Sequence, residues 1–232
     1  MIVSSINAIN YSMALKTNFL IGAAAIVAMS AGFWLSSIQH QQNDSDIEVS
    51  EARKNFSPIQ GSILSPARKI AVPALVKDNG ETFSIDDLSG QWHLLFFGYT
   101  HCPDICPTTM GILAQAKKTA TANKEMFPGV IFISVDPERD KVEMLGEYVQ
   151  YFDEDFIGVT GDPALIKALT LQMSVVYMKM PAESDSKADA YLVDHSSALL
   201  LLNPEGRLKA FLNPPHEPAL VLRDIQTVIS QP

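Results

Sequence analysis

The stretch His93–Met110, HLLFFGYTHCPDICPTTM, constrains the fold more than any other part of the chain. It opens on a nearly unbroken apolar run, HLLFFGYT (His93–Thr100), with the length and character of a strand buried on both faces. Such strands occur where helices cover both sides of a sheet. The run leads straight to Cys102 and Cys106, the only two cysteines in 232 residues. Pro107 suits the first turn of a helix, so a helix is predicted from about that residue, with Met110, Leu113 and Ala114 turned inward.

Strand and helix signals continue to alternate. VIFISVD (Val130–Asp136) repeats the buried-strand pattern. Asp140 is expected to cap a helix over KVEMLGEYVQYF, where Val142, Leu145, Tyr148, Val149 and Phe152 recur at helical spacing. Asp162-Pro163 opens a further helix with Leu165, Ile166, Leu169 and Met173 inward. VVYMKM reads as a strand, ALLLLN and RLKAFL as a hairpin turning at NPEG, and PALVLRDIQTVIS as a terminal helix. The fold class is α/β, with helices on both faces of a mixed sheet. A cysteine pair between a buried strand and a helix is a thioredoxin-like layout, although the spacing is C-x3-C and not the redox C-x2-C.

The N-terminus sets the location of this domain. Phe19–Ile38 carries no charge for 20 positions, enough for a helix to cross a bilayer. Lys16 precedes it and no Lys or Arg follows until Arg53, so residues 1–18 are expected in the cytoplasm and the rest outside. A cleaved signal peptide is the rival reading, with Ala28 and Ser30 at cleavage spacing. Either way the domain is exported; in a bacterium it faces the periplasm. Residues 39–60 read as a polar tether and 61–232 as one domain. With 17 Lys+Arg against 26 Asp+Glu and no basic cluster, nucleic acid is not an expected partner.

Three roles are open to the cysteine pair: staple, redox switch or metal clamp. Four residues apart on a helical turn, the Cα atoms lie about 6 Å apart, inside the window for a disulfide. A bond closing so short a loop removes little unfolded-state entropy, which makes it a poor staple. Two sulfurs are too few for structural zinc. A thiol–disulfide exchanger is open, and so is a soft-metal site in which two thiolates and an imidazole take Cu(I). Among the five histidines, His40 lies in the tether, His93 begins a strand, and His101 is next to Cys102 but projects differently from it. His216 reads as an exposed residue at a helix start. His195 stands apart, because YLVDHSSALLLL sets Asp194-His195 between two apolar stretches. Met110, Met126, Met144, Met173, Met178 and Met180 are soft donors too, but their apolar positions assign most of them to packing.

FFGYTHCPDICPTTM, ISVDPERD and YLVDHSSALLLLNPEGRL together resemble the Sco/SenC family of membrane-anchored copper chaperones for cytochrome c oxidase assembly. The resemblance runs from about residue 65 to 230 and includes an N-terminal anchor. It implies a thioredoxin-like fold with an inserted β-hairpin, preceded by one transmembrane helix at 19–38. It also implies copper, as Cu(I) or Cu(II), held by Cys102, Cys106 and His195. The acidic residue of the family's C-x3-C loop matches Asp104, and DPERD matches Asp136, Arg139 and Asp140. Asp194 either orients His195 or sits in a solvated turn. The implied partners are the oxidase subunit carrying the Cu(A) site, a copper-donating chaperone and the membrane. The expected function is copper delivery to, or reduction of the cysteines of, that site. The alternatives are an exported thiol–disulfide oxidoreductase using Cys102 and Cys106, and a copper buffer or sensor with no dedicated recipient. The polar loop AESDSKADA (182–190) is expected to be a flexible insertion and docking surface.

Overall fold

Three parallel strands at the centre of the fold carry its most apolar sequences. The computed structural model describes residues 58–181 and 191–231; the expected anchor, the segments beside it as far as residue 57, and the loop 182–190 lie outside these. Among the described residues no helix is long and apolar enough to cross a membrane. The central strands are β4 (His93–Gly98), β5 (Gly129–Ser134) and β6 (Ile157–Thr160). All six residues of β4 are buried, as expected of a strand covered on both faces.

The sheet grows outward from this centre by antiparallel pairing. β9 (Leu199–Leu202) pairs with β4, β10 (Leu208–Leu212) with β9, and β1 (Gly61–Arg68) with β10. On the other side β2 (Leu75–Lys77) pairs with β6, and β3 (Thr82–Phe83) with β2. The eight-stranded order is β1-β10-β9-β4-β5-β6-β2-β3. The predicted β9–β10 hairpin turns at NPEG. There the Asn203 carboxamide oxygen accepts from the amides of Glu205 (3.2 Å) and Arg207 (2.9 Å), and Gly206 takes a φ of 68° that favours glycine.

Among the described residues four α-helices cover the sheet: α1 (Ile105–Asn123), α2 (Val142–Phe152), α3 (Pro163–Gln172) and α4 (Pro218–Ile229). α1 lies against α4, and α2 against β6. Asp162 caps α3 as expected, accepting from the amides of Ala164 and Leu165. Leu165 itself is 38% exposed rather than inward, because Ile166 and Leu169 already fill the buried stripe.

Asp140 is not the cap of α2; the N-cap position is Lys141, which makes no side-chain cap. The Asp140 carboxylate is fully buried and turned the other way. It accepts from the Thr100 amide (3.0 Å), the Thr100 hydroxyl (2.6 Å) and the Ser134 hydroxyl (2.7 Å). A charge out of reach of water needs such internal donors.

β7 (Tyr177–Pro181) and β8 (Tyr191–His195) form a separate two-stranded ladder, the inserted hairpin. Val193 is buried, whereas Met178, Met180 and Leu192 face outward at 57, 45 and 48% exposure. The packing assignment of the methionines therefore holds for the buried Met110 and Met173 but not for Met126, Met144, Met178 and Met180. A two-stranded ladder has one face on the core and leaves the other bare.

Gly98, the last residue of β4, has no room for a side chain: a Cβ there would sit 2.7 Å from Cys106 Sγ and 2.8 Å from the Phe132 ring. Gly98→Ala is expected to cost about 1–3 kcal/mol by overpacking, read by urea denaturation. Displacement of the Cys106 sulfur should appear as faster alkylation of that otherwise buried thiol.

Candidate metal centre

The loop leaving β4 turns back at Tyr99, whose carbonyl accepts from the Cys102 amide (3.2 Å), and feeds into α1. Cys106 falls in the first turn of the helix and is fully buried against Gly98. Cys102, still in the loop, is half-buried, and both residues are free thiols. Asp104 occupies the N-cap position without capping any amide; its carboxylate accepts instead from the Thr108 hydroxyl (3.4 Å). The amides of Asp104 and Cys106 are directed at the Cys102 sulfur. That sulfur thereby takes the place of a capping oxygen at the positive end of α1.

His195 reaches the pair from the end of β8, where it lies opposite Tyr177. Its Nε2 is 3.3 Å from Cys106 Sγ, and its ring meets the edges of Phe96 and Tyr99 at 6.1 and 6.0 Å between centroids. Nδ1 lies 3.1 Å from the Ser196 carbonyl, which can only accept, so Nδ1 donates there and Nε2 is the nitrogen turned to the sulfurs. The partner that orients His195 is thus a backbone carbonyl; Asp194 is exposed and stands opposite Met178 on the outer face of the ladder. The donor atoms of Cys102, Cys106 and His195 all lie within 4.8 Å of one another, the one such group of three or more among the described residues.

The thiols share a proton unequally. The S–H of Cys106, bonded to Cys102, draws the Cys102 thiol far below its ordinary range, helped by His195 and the helix amides. Cys106 is held far above its ordinary range by the same bond and by its burial. The pair carries one negative charge and one proton through neutral pH. Two sulfurs and one imidazole, one of them buried and two partly buried, suit a soft ion such as Cu(I).

The other histidines stand outside this group. His93 is buried at the start of β4, with Nε2 3.2 Å from the Gln91 side chain, and burial lowers its pKa. His101 turns away from the sulfurs, as expected. His216 is not an exposed helix-start residue: it is half-buried, and its Nε2 donates to the Ser197 carbonyl (2.8 Å). That bond pins the segment that follows His195.

The clamp that holds the hairpin is not apparent from sequence. Asp136, fully buried, accepts from Arg139 Nε and from the Tyr191 hydroxyl (2.7 Å). Arg139 also donates to the Tyr191 carbonyl (3.1 Å) and stacks on the Tyr191 ring at 3.7 Å. From β7, Lys179 reaches Glu138 (2.6 Å). Both strands of the hairpin are therefore tied to the loop after β5, and their other end presents His195. The polar order DPERD was the only available signal, and it does not name Tyr191.

A family model described as SCO1/SenC matches residues 67–230. The protein described as SCO1 homolog 1, mitochondrial, of Arabidopsis thaliana is 40% identical over 144 residues, covering 62% of this chain and 42% of that protein. The chain thus spans under half the length of this plant relative. SCO2-like protein RP587 of Rickettsia prowazekii (strain Madrid E) is 38% identical over 150 residues, covering 64% of this chain and 71% of that protein. Among solved structures, Arabidopsis thaliana ScoI with copper bound is similar at a TM-score of 0.65 and 39% identity, over 71% of this chain and 100% of that one. Bradyrhizobium japonicum ScoI with copper bound is similar at 0.58 and 32%, over 69% and 99%.

Two outcomes are expected. Alkylation at Cys102 should fall only slightly from pH 8 to pH 6, where an ordinary thiol loses roughly a hundredfold of its thiolate; Cys106→Ser removes the bonded proton and should restore steep pH dependence. Arg139→Met leaves the buried Asp136 charge short of a partner, which is expected to cost about 3 kcal/mol. Hydrogen exchange should then accelerate across Tyr191–His195 while β4 and β5 stay protected.

Proposed function

The chain belongs to the SCO1/SenC family, and from that premise we propose that it binds copper through Cys102, Cys106 and His195 and passes the ion to an acceptor outside the cytoplasm. The observation that carries the reading is the convergence of two sulfurs and an imidazole nitrogen within 4.8 Å. Each has a physical qualification for the task. Cys102 is already a thiolate, Cys106 can become one, and His195 has its Nε2 turned inward. The relatives solved with copper bound support the choice of ion.

Copper is cargo in this reading. A donor set with one half-exposed sulfur lets an acceptor's ligand approach while Cys106 and His195 still hold the ion. Release then proceeds by ligand exchange, and copper is never free. The acceptor of this proposal is the Cu(A) site of cytochrome c oxidase, with residues 19–38 anchoring the domain to the membrane and residues 39–60 tethering it on the periplasmic side. A copper-donating chaperone would supply the ion. Cysteine oxidation would remove two of the three donors, so loading requires the reduced pair.

A second reading rests on the unequal thiols. The Cys102 thiolate can attack a disulfide in a recipient, and Cys106 can then resolve the mixed disulfide, its proton passing to the departing thiolate. The recipient is reduced by two electrons and the pair becomes a disulfide. His195 separates the two readings, since thiol exchange does not need it.

The test is Cu(I) titration of the reduced full chain against a competing chelator, beside His195→Ala. Wild type is expected to bind one copper per chain, and the variant to lose affinity by about a hundredfold or more. Wild-type affinity should rise about tenfold per pH unit between pH 6 and 8, because binding expels the one proton that the thiol pair retains there. Weak, indistinguishable binding by both proteins, with ready exchange of Cys102 and Cys106 against a dithiol, would leave the redox reading in place of the copper one.

A further inference from the structure

Beside the metal centre, an open groove of about 510 Å³ runs between the cysteine loop and α2. His101 and Pro107 belong to one wall, and they are the covalent neighbours of Cys102 and Cys106. Met144, Glu147, Tyr148 and Tyr151 belong to the other. Neither sulfur lines the groove, so a chain seated in it leaves both donors free.

The α2 wall keeps in water two things that water alone does not satisfy. One is apolar surface: Tyr151 is 84% exposed and Met144 43%. The Tyr151 ring stands on a packed base, meeting Phe152 edge-on at 5.2 Å, and Phe152 in turn meets Tyr148 at 5.3 Å. The other is charge. Glu147 lies in the groove and Glu143 one turn before it, both exposed, and like charges at this helical spacing repel. Neither carboxylate has a hydrogen-bond or ion-pair partner among the described residues.

One kind of group relieves both, a cation at the end of an apolar stem. Arginine fits better than lysine, because its flat guanidinium stacks on a ring and forks to a carboxylate at once. The chain makes that arrangement internally, where Arg139 lies 3.7 Å over the Tyr191 ring and bonds to Asp136.

We propose that this groove docks an arginine-bearing segment of the copper acceptor and so brings the acceptor's ligand to Cys102. The proposal deepens the copper reading above and rests on it. The guanidinium stacks on Tyr151 and pairs with Glu147, while the acceptor's backbone runs toward the cysteine loop. An extended chain advances about 3.3 Å per residue. A ligand two or three residues from the arginine therefore comes within reach of the half-exposed sulfur, whose neighbour His101 lines the groove. The formal charge of −9 favours the approach of a basic partner, and the groove fixes where it stops. Docking breaks no bond of the copper centre; it raises the local concentration of the ligand that does.

The probe is a model acceptor peptide with two cysteines and an arginine three positions before the first. Its control carries citrulline, the neutral counterpart, in the arginine's place. Stopped-flow transfer of Cu(I) from the loaded full chain is measured below saturation, at low and high salt. The proteins are wild type, Glu147→Gln, Tyr151→Ala and Glu147→Arg, each also titrated with Cu(I) at equilibrium. Both positions are exposed, so the substitutions leave no cavity and no buried polar group. Wild type is expected to serve the arginine peptide about fivefold faster than its control at low salt. High salt should shrink that advantage. Glu147→Gln and Tyr151→Ala should each remove most of it, with Cu(I) affinity kept within about twofold. Glu147→Arg should reverse the preference, favouring a peptide with glutamate at the same position. An arginine peptide without cysteines should shift the amide signals of Met144, Glu147 and Tyr151 in the reduced, copper-free chain.

Equal rates with the arginine and citrulline peptides would overturn the docking site and leave copper binding intact. So would an advantage that survives both Glu147→Gln and Tyr151→Ala. Groove signals that vary with protein concentration, without peptide, would assign the groove to a second copy of the chain and overturn the proposal as well. Absence of tight copper binding in wild type would sink the copper reading and, with it, the acceptor role of the groove.

Discussion

The carboxylate of Asp140 lies out of contact with water, so its lone pairs have to be met from inside the protein. The groups that meet them come from the ends of neighbouring strands. Thr100 follows β4, Ser134 ends β5, and the Asp140 carbonyl in turn accepts from Thr160 at the end of β6 (3.2 Å). One residue thus gathers the carboxyl ends of all three parallel strands, the edge at which α/β sheets place their ligand sites. The cysteine loop leaves the sheet from that edge, and its position depends on the bonds to Thr100. Ser134 passes the constraint on by accepting from the Asp136 amide (3.0 Å), which starts the loop that holds the hairpin.

Much of this was legible in the sequence, and the limits of that legibility are physical. β4, β5 and β9 announce themselves because burial on both faces demands near-continuous apolar runs, and β10, which alternates, is betrayed by the turn it follows. β2, β3 and β6 have two to four residues each, too few to show a period. The cysteine pair and His195 could be named because thiols and imidazoles have few alternatives in such surroundings. Asp140 was misread as a cap because a residue one position before a helix N-cap and a buried acceptor look alike in one dimension. The difference is which way the side chain turns, and that is decided by Thr100, 40 residues away. Tyr191 acts through Asp136, 55 residues away, and Gly98 through the packing of Cys106 and Phe132.

The centre also shows how a fold can make two identical side chains unlike each other. Cys106 is pressed under β4, where a charge is penalised; Cys102 sits at the helix mouth, where a charge is welcomed. The pair divides into a ready nucleophile and a stored proton through these unlike surroundings, with His195 assisting. The closeness of Cys106 to Gly98 belongs to the same arrangement, since the missing Cβ is the space that the buried sulfur occupies.

The ladder β7–β8 shares no strand pairing with the main sheet. Cys106 is thus built into the core and Cys102 packs beside it, while the third donor rides on an element fastened by Asp136, Arg139 and Tyr191. Substitution at those three positions can tighten or slacken the grip on an ion without altering either sulfur or the pairing of the main sheet. The placement of the histidine and the cohesion of the hairpin are one trait in this architecture, so evolution adjusts the grip by adjusting how firmly a single appendage is fastened.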